Sequence, residues 1–155
     1  MPTVQQLAAQ MNREAAASLK SNALAIPADK VNWHPLEMGR TVLSQIIECA
    51  LTTGYAASII SARKMQDFDT ATHTQAKAEL DTIEKALTAL QTNTDTLIAA
   101  IEAFPNEELD NTLQLPWLPE PQSFAKLLLL NYWNSVYHIG QISYIQTLYG
   151  DKEMH

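Results

Sequence analysis

The chain has 155 residues and a net charge of −7, from 10 Lys and Arg against 17 Asp and Glu. That balance excludes a nucleic-acid surface, which needs clustered positive charge, and the same lack of Lys/Arg clusters argues against a membrane surface as partner. The length fits one domain with one sizeable core; the single Cys49 rules out an internal disulfide and suits a reducing compartment.

Met1 to Gln6 has neither the basic start nor the apolar run of a signal peptide, so the expected location is cytoplasmic. From Thr3, a good capping residue, a first helix is expected to about residue 24. Its apolar stripe would be Val4, Leu7, Ala8, Met11, Ala15 and Leu19. Residues 26–39 carry two prolines and a glycine and read as a loop, pinned to the rest by Trp33.

A second helix is expected near 39–65. Between Arg40 and Arg63 its only charged residue is Glu48, and its neighbours are apolar on every side, as in a central, covered helix. A membrane span is the competing reading. The mid-span carboxylate, which costs on the order of 3 kcal/mol in a bilayer, argues for a soluble bundle instead.

The stretch 67–72 reads as a polar connection and 73–103 as a third helix. In it Leu80, Ile83, Leu87, Leu90, Thr94, Leu97 and Ile101 form a seam with one polar interruption. A loop holding Pro105, Pro116 and Trp117 leads to a fourth helix near 121–149, which Gly150 would cap. Four long helices indicate an all-α four-helix bundle.

The fourth helix carries the stripe Phe124, Leu127, Asn131, Asn134, His138, Gln141, Ile145, Leu148, apolar at its ends and polar in its middle. Asn134 and His138 are four apart and share a face. Buried amides and imidazoles need partners, and so does Glu48. The three are therefore expected to meet in one pocket at an end of the bundle, near the Trp33–His34 loop. There they would either ligate a divalent cation or satisfy one another. Should His138 pair with ionised Glu48, its pKa should rise. Trp33, His34 and Gln141 are the nearest further candidates for lining that pocket, although a loop His is also simply exposed. Tyr132, Trp133, Tyr137 and Tyr144 could line a pocket, although aromatic residues at helical spacing are usually core. Cys49 reads as packing, and no phosphate loop or nucleophile elbow is present.

The segment Asn134 to Ile145, followed by Gly150-Asp151, resembles the last-helix signature of the DinB-like (damage-inducible) superfamily: a His, three residues, a second His, then Arg-Gly-Gln. Residues 26–35, the approach Arg40 to Glu48, and Pro116-Trp117 are similar to its other conserved features. The resemblance implies an up-down-down-up bundle, often dimeric, with a three-histidine divalent-metal site serving thiol-dependent transferase, isomerase or hydrolase chemistry. Only His138 matches a family ligand. Asn134 and Glu48 stand where the other two histidines belong, and Ile139 replaces the arginine. A Glu/Asn/His set implies nickel, zinc or manganese held weakly. Three outcomes follow: a metal-dependent enzyme with an altered site, a small-molecule-binding bundle that has lost the metal, and a purely structural homodimer.

Overall fold

The computed structural model describes every residue from Met1 to His155. Helix α1 spans Val4–Leu24, α2 Val42–Ala62, α3 Thr70–Glu79, α4 Ile83–Glu102, α5 Phe124–Leu127 and α6 Leu130–Leu148. A hairpin of β1 (Thr112–Leu113) and β2 (Gln122–Ser123) sits in the loop before α5. The bundle is made by α1, α2, α4 and α6. Each of α1 and α2 packs on both α4 and α6, so α1 lies diagonally opposite α2.

Local chemistry fixes most helix ends. Thr3 and Gln6 form a capping box at α1, and Thr41, Asp69 and Thr82 cap α2, α3 and α4 through side-chain oxygens. Arg63 ends α2 in the left-handed region at φ 54°, a position that usually takes glycine. Its guanidinium is held 2.7 Å from Glu108 and over the Phe104 ring. Gly150, at φ 96°, follows the end of α6.

Three expectations are corrected. The third helix is two: Leu80 leaves helical geometry at ψ 47°, and Thr82 restarts the chain as the cap of α4. Helix α3 buries none of its residues, whereas α4 carries the seam. The fourth helix does not begin near 121. Gln122 and Ser123 pair with β1, and α5 is one short turn before α6. On α1, Val4 and Leu7 are exposed, while Gln5, Asn12 and Asn22 are buried among the alanines and Leu19.

Those buried amides have backbone partners far away in sequence. Gln5 Nε2 donates to the Phe104 carbonyl at 3.0 Å, Asn12 Nδ2 to Leu128 at 3.0 Å and Asn22 Nδ2 to His155 at 3.1 Å. They also give the helix directions. Asn12 meets the start of the α6 region and Asn22 meets Ser143, so α1 and α6 run the same way. Gln45 meets His138 and Thr53 meets Asn131, so α2 runs against α6. Gln5, at the start of α1, reaches the end of α4, so those two are antiparallel.

The core is two apolar clusters rather than one. The first gathers Ala8, Ala57, Leu97, Ile101, Phe104 and Phe124; the second gathers Leu19, Val42, Ile46, Leu90 and Ile142. Between them each bundle helix contributes a buried polar residue: Asn12, Thr53, Thr94 and Asn131. Asn131 Nδ2 donates to Asn12 Oδ1 at 3.4 Å, and Thr53 shares its proton between the Cys49 carbonyl and Asn131 Oδ1. Beside this layer, Gly54 lets α4 approach closely. A Cβ there would lie 2.9 Å from Asn93 Nδ2, which donates to the Ala50 carbonyl. By length and composition α2 could cross a membrane, but most of it is buried against the other helices.

Candidate functional site

The alternation on α6 places Asn131, Ser135, His138, Ile142 and Ile145 inward. The buried stripe therefore passes through Ser135 rather than Asn134, and Leu148 is exposed. Trp133, Tyr137 and Tyr144, whose helical spacing favours core, lie on the outer face and are exposed, Trp133 by 66%.

His138 is 1% exposed and faces α2. Its Nε2 lies 3.2 Å from Glu48 Oε1 and its Nδ1 3.1 Å from Gln45 Oε1. Gln45 and Glu48 are three apart on α2, one helical face, and so they bracket the ring. The other carboxylate oxygen of Glu48 accepts a hydrogen bond from the Arg40 guanidinium. The result is one chain of contacts, Arg40–Glu48–His138–Gln45.

Electrostatics here run against the expected rise at His138. Burial pushes its pKa below the ordinary 6.5, and the positive Arg40 adds to that. Glu48, by charge and hydrogen bond, and Gln141 oppose it without prevailing. The ring is therefore neutral at pH 7, with one N–H to give. With Nε2–H donated to Glu48, Nδ1 must accept, so the Gln45 amide presents its NH2 end after a half-turn. At Glu48 burial tends to raise the pKa, but the hydrogen bond and charge of Arg40, then His138, bring it below 4.5. Burial, reinforced by Glu48, raises the Cys49 thiol to about 12, so it stays protonated and inert.

Asn134 does not join this group. Its Nδ2 donates to Thr52 Oγ1 at 3.0 Å, and Thr52 in turn bonds the Glu48 carbonyl at 2.8 Å. It sits about one turn along α6 from His138. Gln141 lies on the other side, in a groove with Arg40 and Gln45, and its Oε1 is buried without a partner. Trp33 and His34 are elsewhere. Trp33 packs edge-on against Tyr149 at 6.2 Å, and exposed His34 donates from Nδ1 to the Gly39 carbonyl at 2.9 Å.

Beside Asn134 opens a cavity of about 890 Å³ that sequence reasoning missed. Its walls are mainly apolar, with Tyr55, Phe68, Trp117 and Trp133 supplying four rings, and Thr52, Asn131 and Asn134 supplying polar groups. The available signal was the pair of tryptophans flanking the proline break, one in the loop and one on the early turns of α6.

The donor set was tested against the metal that the family pattern implies. Nowhere do three His, Cys, Asp or Glu side chains converge. Of the three expected ligands two meet, the third faces Thr52, and a guanidinium already neutralises the carboxylate. The residues do not fit a resident metal ion.

The chain folds as a four-helix bundle with a long loop after α1. It is a member of the DinB superfamily, whose model matches residues 6–142. It is similar in structure to YfiT from Bacillus subtilis, called "a probable metal-dependent hydrolase with an unusual four-helix bundle topology". The TM-score is 0.73 at 17% identity, covering 94% of this chain and 87% of that one. It is also similar to YjoA, a DinB-like protein of Bacillus subtilis, with a TM-score of 0.70 at 18% identity over 96% of each chain. No curated protein matches the sequence.

Proposed function

We propose that this protein binds a small molecule in the aromatic cavity and does so without a metal ion. The observation that carries the reading is the Arg40 guanidinium on Glu48. The carboxylate that a divalent cation would need is already paired with a guanidinium, and Asn134 bonds Thr52 at the cavity wall. A cavity of about 890 Å³, mainly apolar with a few convergent polar groups, has the size and lining of ligand sites. The His138 group supports its wall, since Glu48 and Thr52 are successive turns of one helix.

One observation favours the alternative of a metal-dependent enzyme. The 3.2 Å between His138 Nε2 and Glu48 Oε1 is about the separation of two ligands that each lie ~2.1 Å from one ion. Metal analysis of protein purified without a histidine tag decides between the two. Metal far below one equivalent, with unfolding unchanged by EDTA, is expected, and a retained stoichiometric ion overturns the metal-free reading. Binding of a neutral polarity-sensitive dye such as Nile red, abolished by the cavity-filling Ala56→Trp, tests the cavity itself.

The assembly we propose is a homodimer through the outer face of α6. Leu130–Leu148 contains no Asp, Glu, Lys or Arg, although Tyr137 and Tyr144 are largely exposed. In a chain of net charge −7, this is a face on which two copies can meet without repulsion, and interface cores are depleted in charge and rich in Tyr.

A further inference from the structure

We infer that the ligand of the cavity is an organic cation, an amine or quaternary ammonium on an apolar body. The inference rests on the cavity reading above and adds the charge of what binds there.

Three features of the lining point the same way. Four aromatic rings, Tyr55, Phe68, Trp117 and Trp133, border the cavity, and three of them stay more than half exposed rather than packing into the core: Phe68 at 58%, Trp117 at 55% and Trp133 at 66%. The face of an aromatic ring carries negative electrostatic potential, so rings around a cavity attract a cation beyond what their apolar area gives. Aliphatic side chains would have served a neutral hydrocarbon equally well. Second, Asp67 lines the cavity and is its only charged residue; no Lys or Arg contributes. An anionic ligand would meet a carboxylate and no counter-charge, whereas a cation meets one near a low-dielectric wall. Third, the Asn134 amide spends its NH2 group on Thr52, leaving its carbonyl oxygen as an acceptor. An ammonium can face that oxygen through an N–H or, when quaternary, through its positively polarised methyl groups, and a carboxylate cannot.

The two guanidinium groups nearest in sequence are engaged elsewhere. Arg40 binds Glu48, and Arg63 binds Glu108 while covering Phe104. Tyr55 and Phe68 hold each other edge to face at 6.0 Å, and the Tyr55 hydroxyl donates to the Gln66 carbonyl at 2.9 Å. That bond fixes the loop carrying Asp67 and Phe68 against α2, so the rings and the carboxylate are positioned before any ligand arrives.

The test is calorimetric titration of the full chain with trimethyl(phenethyl)ammonium. Its comparison compounds are the carbon isostere (3,3-dimethylbutyl)benzene, of the same shape without charge, and 3-phenylpropionate. Cation–aromatic attraction predicts at least about fivefold tighter binding of the ammonium than of the isostere, and no measurable propionate binding. Asp67→Asn, at an exposed position, should weaken the ammonium about threefold and leave the isostere unchanged. Trp117→Leu should weaken the ammonium more than the isostere; if that variant fails to fold, Trp133→Leu on the exposed face of α6 replaces it. Isostere binding as tight as the ammonium overturns the cation inference while the cavity reading stands. If neither compound binds, both fall.

Discussion

Two places along the α2–α6 seam, about one helical turn apart, are built on opposite plans. At the first, Arg40, Glu48, His138 and Gln45 spend their hydrogen bonds on one another, and the imidazole is sealed from water. At the second, the rings of Phe68, Trp117 and Trp133 stand exposed around open space, with the Asn134 carbonyl unengaged. Polar groups that have satisfied each other have nothing to offer a ligand. In the proposed reading the chemistry at the first place serves stability, and recognition belongs to the second, where shape and polarity are unfilled. Thr52 joins them, bonded to the Glu48 carbonyl on one side and to Asn134 on the other.

If the first place is structural, breaking it should cost the fold heavily. His138→Ala leaves the Gln45 amide buried without a partner, removes a hydrogen-bond donor from Glu48 and opens a cavity. Those losses together predict destabilisation of about 2–4 kcal/mol in urea unfolding. A cost below ~1 kcal/mol would contradict the closed, self-satisfied description.

The second test converts one plan into the other. Arg40→Ala with Asn134→His removes the fixed cation and supplies an imidazole one turn from His138. Nickel or zinc at about a hundred times the dissociation constant should then stabilise the double variant by ~2.7 kcal/mol and leave the natural chain unmoved. A natural chain that is stabilised equally would show that Arg40 yields its place to a metal.

Why one site was legible in the sequence and the other was not has a physical reason. A lone Glu48 in an apolar helix and a His138 on an apolar stripe each announce a missing partner, and they found one another. Arg40 lies just before α2 and carried no such signal, because a charged residue at a helix start is ordinarily solvated. Asn134 was misplaced because helical spacing alone does not separate Asn134 from Ser135 as the inward residue. The long-range bonds of Gln5, Asn12 and Asn22 to carbonyls 99, 116 and 133 residues away are likewise invisible to periodicity, which assigns Val4 and Leu7 to the core. The four long bundle helices and the Thr3 cap of α1 rest on local chemistry and could be read directly. The break at Leu80–Thr82 could not, since the apolar spacing runs through it. The cavity forms where the loop after α2, the loop before the β hairpin's return strand and α6 converge, a juxtaposition set by topology.

Acid should separate the contributions within the closed cluster. His138 resists protonation in the folded chain, while the unfolded ring takes a proton near 6.5. The stability it contributes is complete above that pH and declines as pH falls below it. Glu48 is held below 4.5 by Arg40 and His138. Its contribution is complete above 4.5 and is lost as pH falls toward the depressed folded value. Urea midpoints should thus fall in two phases. Glu48→Gln should remove the lower one and leave a decline beginning near pH 6.5. A midpoint that climbs on acidification from pH 7 to 5.5 would mean that the folded ring prefers the proton.

The smallest effect on stability should come from the open place, and it sharpens the comparison most. Trp133 is the largest side chain on α6, yet two thirds of it faces solvent, and no hydrogen bond of its indole contributes to the fold. Trp133→Leu should shift unfolding by less than about 1 kcal/mol, as for other substitutions outside the core. The same change should lower the fluorescence response of the neutral dye, because it trims one wall of the cavity, but by less than it weakens the ammonium, since Leu keeps an apolar surface there. Tyr137→Glu, one turn further along the outer face, supplies the control. It should leave stability and dye binding within error while splitting any dimer seen in sedimentation, since each copy would bring a carboxylate into an uncharged interface. Should Trp133→Leu instead cost as much as His138→Ala, the rings would be holding the bundle together, and the division between a structural cluster and a binding cavity would fail.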